Sequence, residues 1–123
     1  MKSVGGNIQA LMQIKSSNGK NAIGEEEIIW SDVGTLTGWL DYSTGQASNS
    51  AYQAKVQNST HLFFCDYKEW KKLDIPSGSI SSDNGRVIIA GKPYALLYVD
   101  DPMEMHQHLE IYLEFLGGGL GVN

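Results

Sequence analysis

Few side chains in this sequence have the types and spacing to do chemistry. His106 and His108 stand two apart, so on a strand both imidazoles would face one way. With Asp100, Asp101 or Glu104 they offer a mixed nitrogen and oxygen donor set for a divalent metal. The competing reading is the polar outward face of an ordinary strand, and no third regularly spaced ligand follows. Cys65 and His61 supply a thiol and an imidazole, the parts of a nucleophile and its base. Four residues apart on a strand they would lie roughly 13 Å from each other, which favours a buried structural thiol. Lys68, Lys71 and Lys72 surround Trp70, cations beside a ring that could touch a phosphate backbone. Solvated surface or contact with an acidic partner is the commoner outcome of such a cluster. Gly117-Gly118-Gly119-Leu120-Gly121 lacks the strand, helix and lysine that frame a phosphate loop. No dyad, triad or cofactor motif stands out, and the expectation is a non-enzymatic protein with no metal and no cofactor.

The elements that would position these groups are read from periodicity and turn chemistry. Val87–Ala90 and Tyr94–Val99 are apolar runs joined at Gly91-Lys92-Pro93, a hairpin with Gly91 free to take positive φ and Pro93 opening the second strand. Asp100-Asp101-Pro102 breaks the chain. Leu109, Ile111, Leu113 and Phe115 then alternate with Glu110, Tyr112 and Glu114, the period of a half-buried strand. The C-terminal third is therefore a three-stranded antiparallel meander. Upstream, a strand is expected from about Ile8 to Lys15, closed by a turn at Ser16-Ser17-Asn18-Gly19. Ile28-Ile29-Trp30 follows the acidic triplet Glu25-Glu26-Glu27, and Ser31–Gly34 links it to a clean alternation. There Leu36, Gly38, Leu40 and Tyr42 share one face, Thr35, Thr37, Trp39 and Asp41 the other, with Gly38 marking a bend or bulge. Thr60–Tyr67 is read as a strand apolar on both faces, which should be central and covered on both sides. Residues 43–59 are rich in Ser, Asn, Gln and Ala and form a long inter-strand loop of the kind that is functional or disordered. The ends, about residues 1–6 and 117–123, are expected to be loose.

At 123 residues, with 41% hydrophobic and 19% charged, the chain is long enough for one domain with a core. Fourteen glycines among short strands favour an all-β architecture. The formal charge is −5 and Arg86 is the only arginine, which argues against a phosphate-gripping surface and against docking on an anionic membrane. A lone cysteine allows no internal disulfide and fits a reducing compartment. No run approaches the roughly 18 apolar residues of a spanning helix, and the expectation at the N-terminus is no signal peptide.

The order of short motifs carries more than any one of them. Trp30-x-Asp32-Val33 precedes Leu36-x-Gly38-x-Leu40-Asp41, with Ser43-Thr44-Gly45 following. A polar loop ends in Thr60-His61 before an apolar strand. Arg86-Val87-Ile88-Ile89-x-Gly91-Lys92-x-Tyr94, Val99-Asp100-Asp101-Pro102 and His108-Leu109-Glu110-Ile111-Tyr112 complete the series. This order, from about Asn7 to Gly118, resembles the head-closure (head-tail connector, stopper-type, minor capsid) proteins of tailed phages and prophages of Gram-positive bacteria. The chain is less arginine-rich than many of these where Cys65-Asp66-Tyr67 stands.

The resemblance implies a small antiparallel β-barrel with one long inter-strand loop and at most one or two short helices, as a single domain over residues 1–123. It implies a virion structural protein at the head–tail interface, assembled in the host cytoplasm. There the protein forms a homo-oligomeric ring that meets the portal or adaptor on one side and the tail or tail-completion protein on the other. Packaged double-stranded DNA would pass through without sequence-specific binding. By position, the loop facing the channel would carry Ser43, Thr44, Gly45, Gln46, Asn49, Tyr52, Gln53, Lys55 and Gln57. Trp39, Trp70, Leu120 and Val122 are expected as subunit or partner contacts, being apolar residues read as exposed. The alternative from the residues alone is a small barrel that binds glycans or peptides, with Trp39, Trp70 and Tyr94 as a stacking surface.

Overall fold

The structure, a computed structural model, describes residues 4–20, 22–42, 59–73 and 84–117, the side chains of 16–20, 26 and 27 excepted. Among these residues six antiparallel strands are formed: β1 (Ile8–Lys20), β2 (Glu26–Tyr42), β3 (His61–Asp66), β4 (Gly85–Ile89), β5 (Lys92–Asp100) and β6 (His108–Phe115). They close in the order β1-β2-β3-β6-β5-β4 as a small barrel. The expected meander is β4-β5-β6. Its first turn is Ala90-Gly91, both at positive φ (53° and 78°), as a two-residue type I′ connection requires. The ring is sealed between β1 and β4 by the pairs Leu11↔Ile88, Met12↔Val87, Gln13↔Arg86 and Ile14↔Gly85.

Alternation sends one face of every strand inward. Ala10 and Met12, Leu36, Phe63 and Cys65, Val87 and Ile89, Tyr94 and Leu96, and Leu109, Ile111 and Leu113 form one buried cluster drawn from all six strands. Each large apolar side chain so enclosed contributes roughly 1.5–3 kcal/mol. The outer face of β3 is only half covered: Leu62 and Phe64 are partly exposed, so the expectation of cover on both sides holds for the inner face alone. Among the described residues one short α-helix, α1 (Tyr67–Lys71), follows β3 and packs Tyr67 and Trp70, with Leu73 just beyond, against the core at that end of the barrel. Thr37 donates its N–H to Glu69 Oε1 at 3.0 Å, and Lys72 pairs with Glu69 at 2.9 Å, which fastens α1 to β2.

Two expectations change. The first strand does not stop near Lys15. It pairs with β2 through Ser16↔Ile29 and Ser17↔Ile28 to Lys20↔Glu26, and a register shift between Ser17 and Lys20 absorbs Asn18-Gly19. Strong turn residues were outweighed by continued cross-strand pairing. Ser31–Gly34 is likewise no linker but part of β2, where Met12↔Gly34 and Gln13↔Asp32 leave Val33 as the extra residue of a bulge. Second, residues 4–6 are tied down rather than loose. The Asp66 carboxylate, 6% exposed, accepts the N–H groups of Val4 (2.6 Å) and Gly5 (3.1 Å), and Trp39 Nε1 donates to the Val4 carbonyl at 3.1 Å.

Gly38 is where three stretches of backbone meet. It pairs with Ile8 of β1 and Cys65 of β3. A Cβ there would overlap the Phe64 carbonyl oxygen and press on the Phe63 ring at 3.0 Å; one on Gly6 would overlap the Gly38 backbone. Gly38→Ala is expected to cost about 3 kcal/mol through overpacking, read as a drop in the urea midpoint. A second prediction concerns α1. Desolvation opposes ionisation of Glu69, but its hydrogen bonds to Lys72 and Thr37 hold the carboxyl below its usual value. A depressed folded pKa gives stability that is present above the unfolded pKa and lost as pH falls. Glu69→Gln should therefore destabilise by about 1–2 kcal/mol at neutral pH, and the gap in thermal midpoint should close below about pH 4.

Candidate functional site

The inward-facing alternation that builds the core ends, at one rim, in rings. Tyr42 closes β2, His61 opens β3, Tyr94 lies near the start of β5, and Phe115 ends β6. Antiparallel order brings these four strand ends to the same mouth, through the pairs Tyr42↔His61, His61↔Leu113 and Tyr94↔Phe115. The His61 ring lies 5.0 Å from Tyr42 and 5.1 Å edge-on to Tyr94, and Tyr94 lies 5.3 Å from Phe115, distances typical of interacting aromatic pairs. With Lys92 they line a cavity of about 410 Å³. Burial lowers the His61 pKa, which favours the neutral imidazole. Burial, then Tyr42, raises that of the Tyr94 phenol. Thr60 links the rim: its N–H donates to the Leu113 carbonyl at 2.8 Å, its hydroxyl oxygen accepts the Phe115 N–H at 2.7 Å, and it lies 2.9 Å from His61 Nδ1.

The same rim is where residues 43–58 leave β2 and return through Ser59 and Thr60, and where the chain leaves β6 toward residues 118–123. The nine residues expected on the channel loop, Ser43 to Gln57, lie outside the described residues, as do Leu120 and Val122. Trp39 is 45% exposed on the outer wall, and its indole is tied to Val4. Trp70 is not an exposed contact: it is half-buried against the core because α1 turns it inward. Trp39 lies on the outer wall, Trp70 packs against the core from α1 at the opposite end of the barrel, and Tyr94 faces the rim, so the three make no common stacking surface. The mouth was missed because its rings come from four strands far apart in sequence.

At the opposite end the two histidines do not act as a pair. His106 precedes β6 at φ 55° and binds the Asp101 carboxylate through both its backbone N–H and Nδ1, while its ring stacks on Tyr67 at 4.7 Å. His108 lies on β6 with Nε2 3.3 Å from Glu110 Oε2. The shared face expected for a strand is lost because the chain enters β6 only at His108. Among the described residues no three His, Cys, Asp or Glu groups converge on a metal position. Burial raises the Asp100 pKa, as do Glu110 and Asp101, against His108. The sole arginine is committed: its guanidinium lies 4.0 Å over the Trp30 ring, and Nε donates to Gln13 Oε1 at 2.7 Å, whose amide in turn donates to Asp32 at 2.8 Å.

No protein-family model matches the chain, and no curated protein matches it.

Cys65 is fully buried on the inner wall, and burial, then Glu69 and Asp66, push its thiol up to about 12 from 9.0. Three units correspond to about a thousandfold less thiolate. At pH 8 a thiol reagent should therefore modify the native protein at least about a thousand times more slowly than the urea-unfolded chain, timed by absorbance. Comparable rates would mean that the thiol is accessible.

Proposed function

We propose that this chain is a virion structural protein: a subunit of a head-closure ring at the head–tail interface of a tailed phage or prophage, retaining packaged DNA and docking the tail. The observation that carries this reading is topological. A six-stranded antiparallel barrel brings the end of β2 and the start of β3, the two points that residues 43–58 connect, to the same mouth, and a long connection between those strands is what the motif order implies. Charge supports it. The formal charge is −5, and Arg86 is engaged with Trp30 and Gln13, so the barrel offers DNA little cationic grip. DNA held by few cationic contacts slides, because each phosphate contact adds salt-dependent affinity. The ring would meet itself, the portal or adaptor and the tail, with no cofactor and no catalysis.

A second reading, a barrel module for glycans or peptides, is favoured by one observation: the cavity lined by Tyr42, His61, Tyr94, Phe115 and Lys92, of a size that takes small ligands.

Purified protein mixed with DNA-filled, tailless heads that lack it should add density at the portal vertex and keep the genome in, seen by electron microscopy and nuclease protection. A variant lacking residues 43–58 should still bind but lose most of the retention. Undiminished retention would remove the channel role. Absence of binding by a folded protein, with saturable calorimetric binding of a glycan or peptide lost in Tyr94→Ala, would favour the second reading.

A further inference from the structure

β1 and β2 are far longer than the other strands, and the excess leaves the barrel. β4 pairs with β1 only as far as Ile14, and β3 pairs with β2 only from Gly38 onward. Beyond Ile14 and Trp30, β1 and β2 continue together as a two-stranded arm past the end that α1 covers. Among the described residues no third strand pairs with either side of that arm. Open edges of this kind invite pairing or docking. Its isoleucines are out in solvent, Ile23 at 79% and Ile28 at 50% exposure, and its turn end carries Glu25-Glu26-Glu27.

A surface with exposed lysines lies on the barrel proper. Lys68, Lys71 and Lys72 follow helical i, i+3, i+4 spacing, which places them on one face of α1 and its last turn. Lys68 and Lys71 are exposed, while Lys72 is drawn to Glu69. Beside this face stands the connection from β5 to β6, set there by the Tyr67–His106 stack and by the Tyr67 N–H bond to the Gln107 carbonyl at 3.0 Å. That connection presents Met103 (88% exposed) and Met105 (55%). Exposed methionine is adaptable and suits contact with branched aliphatic side chains.

The arm does not reach this surface within one chain. α1 is fastened at Thr37, and Glu26 lies eleven residues further along the same strand, about 35 Å away at strand rise. We infer that the acidic, isoleucine-bearing arm of one subunit docks on the lysine and methionine face of α1 and the β5–β6 connection of a second copy. Two different patches make this a heterologous contact, which repeats into a closed ring or a filament. Its biological meaning rests on the ring reading above; the contact itself is tested without heads.

The test mixes unlabelled and heavy-isotope-labelled full-length chain in equal amounts at about 1 mM, a concentration that populates even weak self-contacts. Zero-length carbodiimide coupling then joins touching Glu and Lys side chains, and mass spectrometry reads the products. Mixed-isotope links between the Glu25–Glu27 and Lys68–Lys72 peptides are expected. They should fall about tenfold in Lys68→Glu/Lys71→Glu and in Glu25→Lys/Glu26→Lys, and return when those two variants are mixed. Links confined to one isotope, or links that ignore both reversals, would overturn the contact. Reversed variants that still close heads would leave the ring reading standing and sink this one. Charge-sensitive links in a protein that never binds heads would do the opposite.

Discussion

The close approach of backbone at Gly38 is the constraint on which the barrel depends. One residue of β2 pairs on one side with β1 and on the other with β3; Phe64 and Phe63 leave it no room for a side chain, and its backbone leaves none for one on Gly6. Because the wall can pinch there, β2 turns from the β1 hairpin into the barrel. Because Gly6 crosses it, residues 4 and 5 reach Asp66 at the end of β3, and Trp39 can hold Val4 from the outer wall. A buried carboxylate is costly without partners; here its two backbone donors offset the cost and fix the chain's entry to β1. The core cluster, the α1 plug and the aromatic rim all assume the curvature that this contact permits.

What the sequence made legible was local. The alternation in β2 and β6 and the turn at Gly91 depend on neighbours a few residues apart, and they placed the meander and most of the inner face correctly. What it hid was long-range. Asn18-Gly19 has the chemistry of a turn, and only the pair Lys20↔Glu26 shows that β1 continues past it. Nothing near Val4 announces Asp66, more than sixty residues later. Trp70 looked exposed because α1 is too short to show an apolar face by periodicity. The rim of Tyr42, His61, Tyr94 and Phe115 is invisible until strand order is known. The spacing of His106 and His108 suggested a shared face, but a left-handed residue at His106 breaks the strand between them.

The two ends of the barrel are chemically distinct. One is aromatic and holds the attachment points of residues 43–58 and 118–123, and its Thr60 hydrogen bonds join the start of β3 to the end of β6. The other is capped by α1, carries the exposed lysines and methionines, and is overshot by the β1–β2 arm. Polarity of this kind is what the proposed place between two unlike neighbours requires. The aromatic cavity and the arm make separate demands, and neither consumes residues that the other uses.

The seam between β1 and β4 also bears on how the chain reaches its native state. Its pairs join residues such as Ile14 and Gly85, some seventy positions apart, and there are only four of them. The β1–β2 hairpin and the β4-β5-β6 meander each close short loops and gain their contacts early; the seam requires the largest loss of chain entropy for only four pairs. Ring closure is thus the natural last step of folding, and until it occurs the nascent sheet carries two bare edges. A chain made in many copies within one cell would be most exposed to mispairing in that interval.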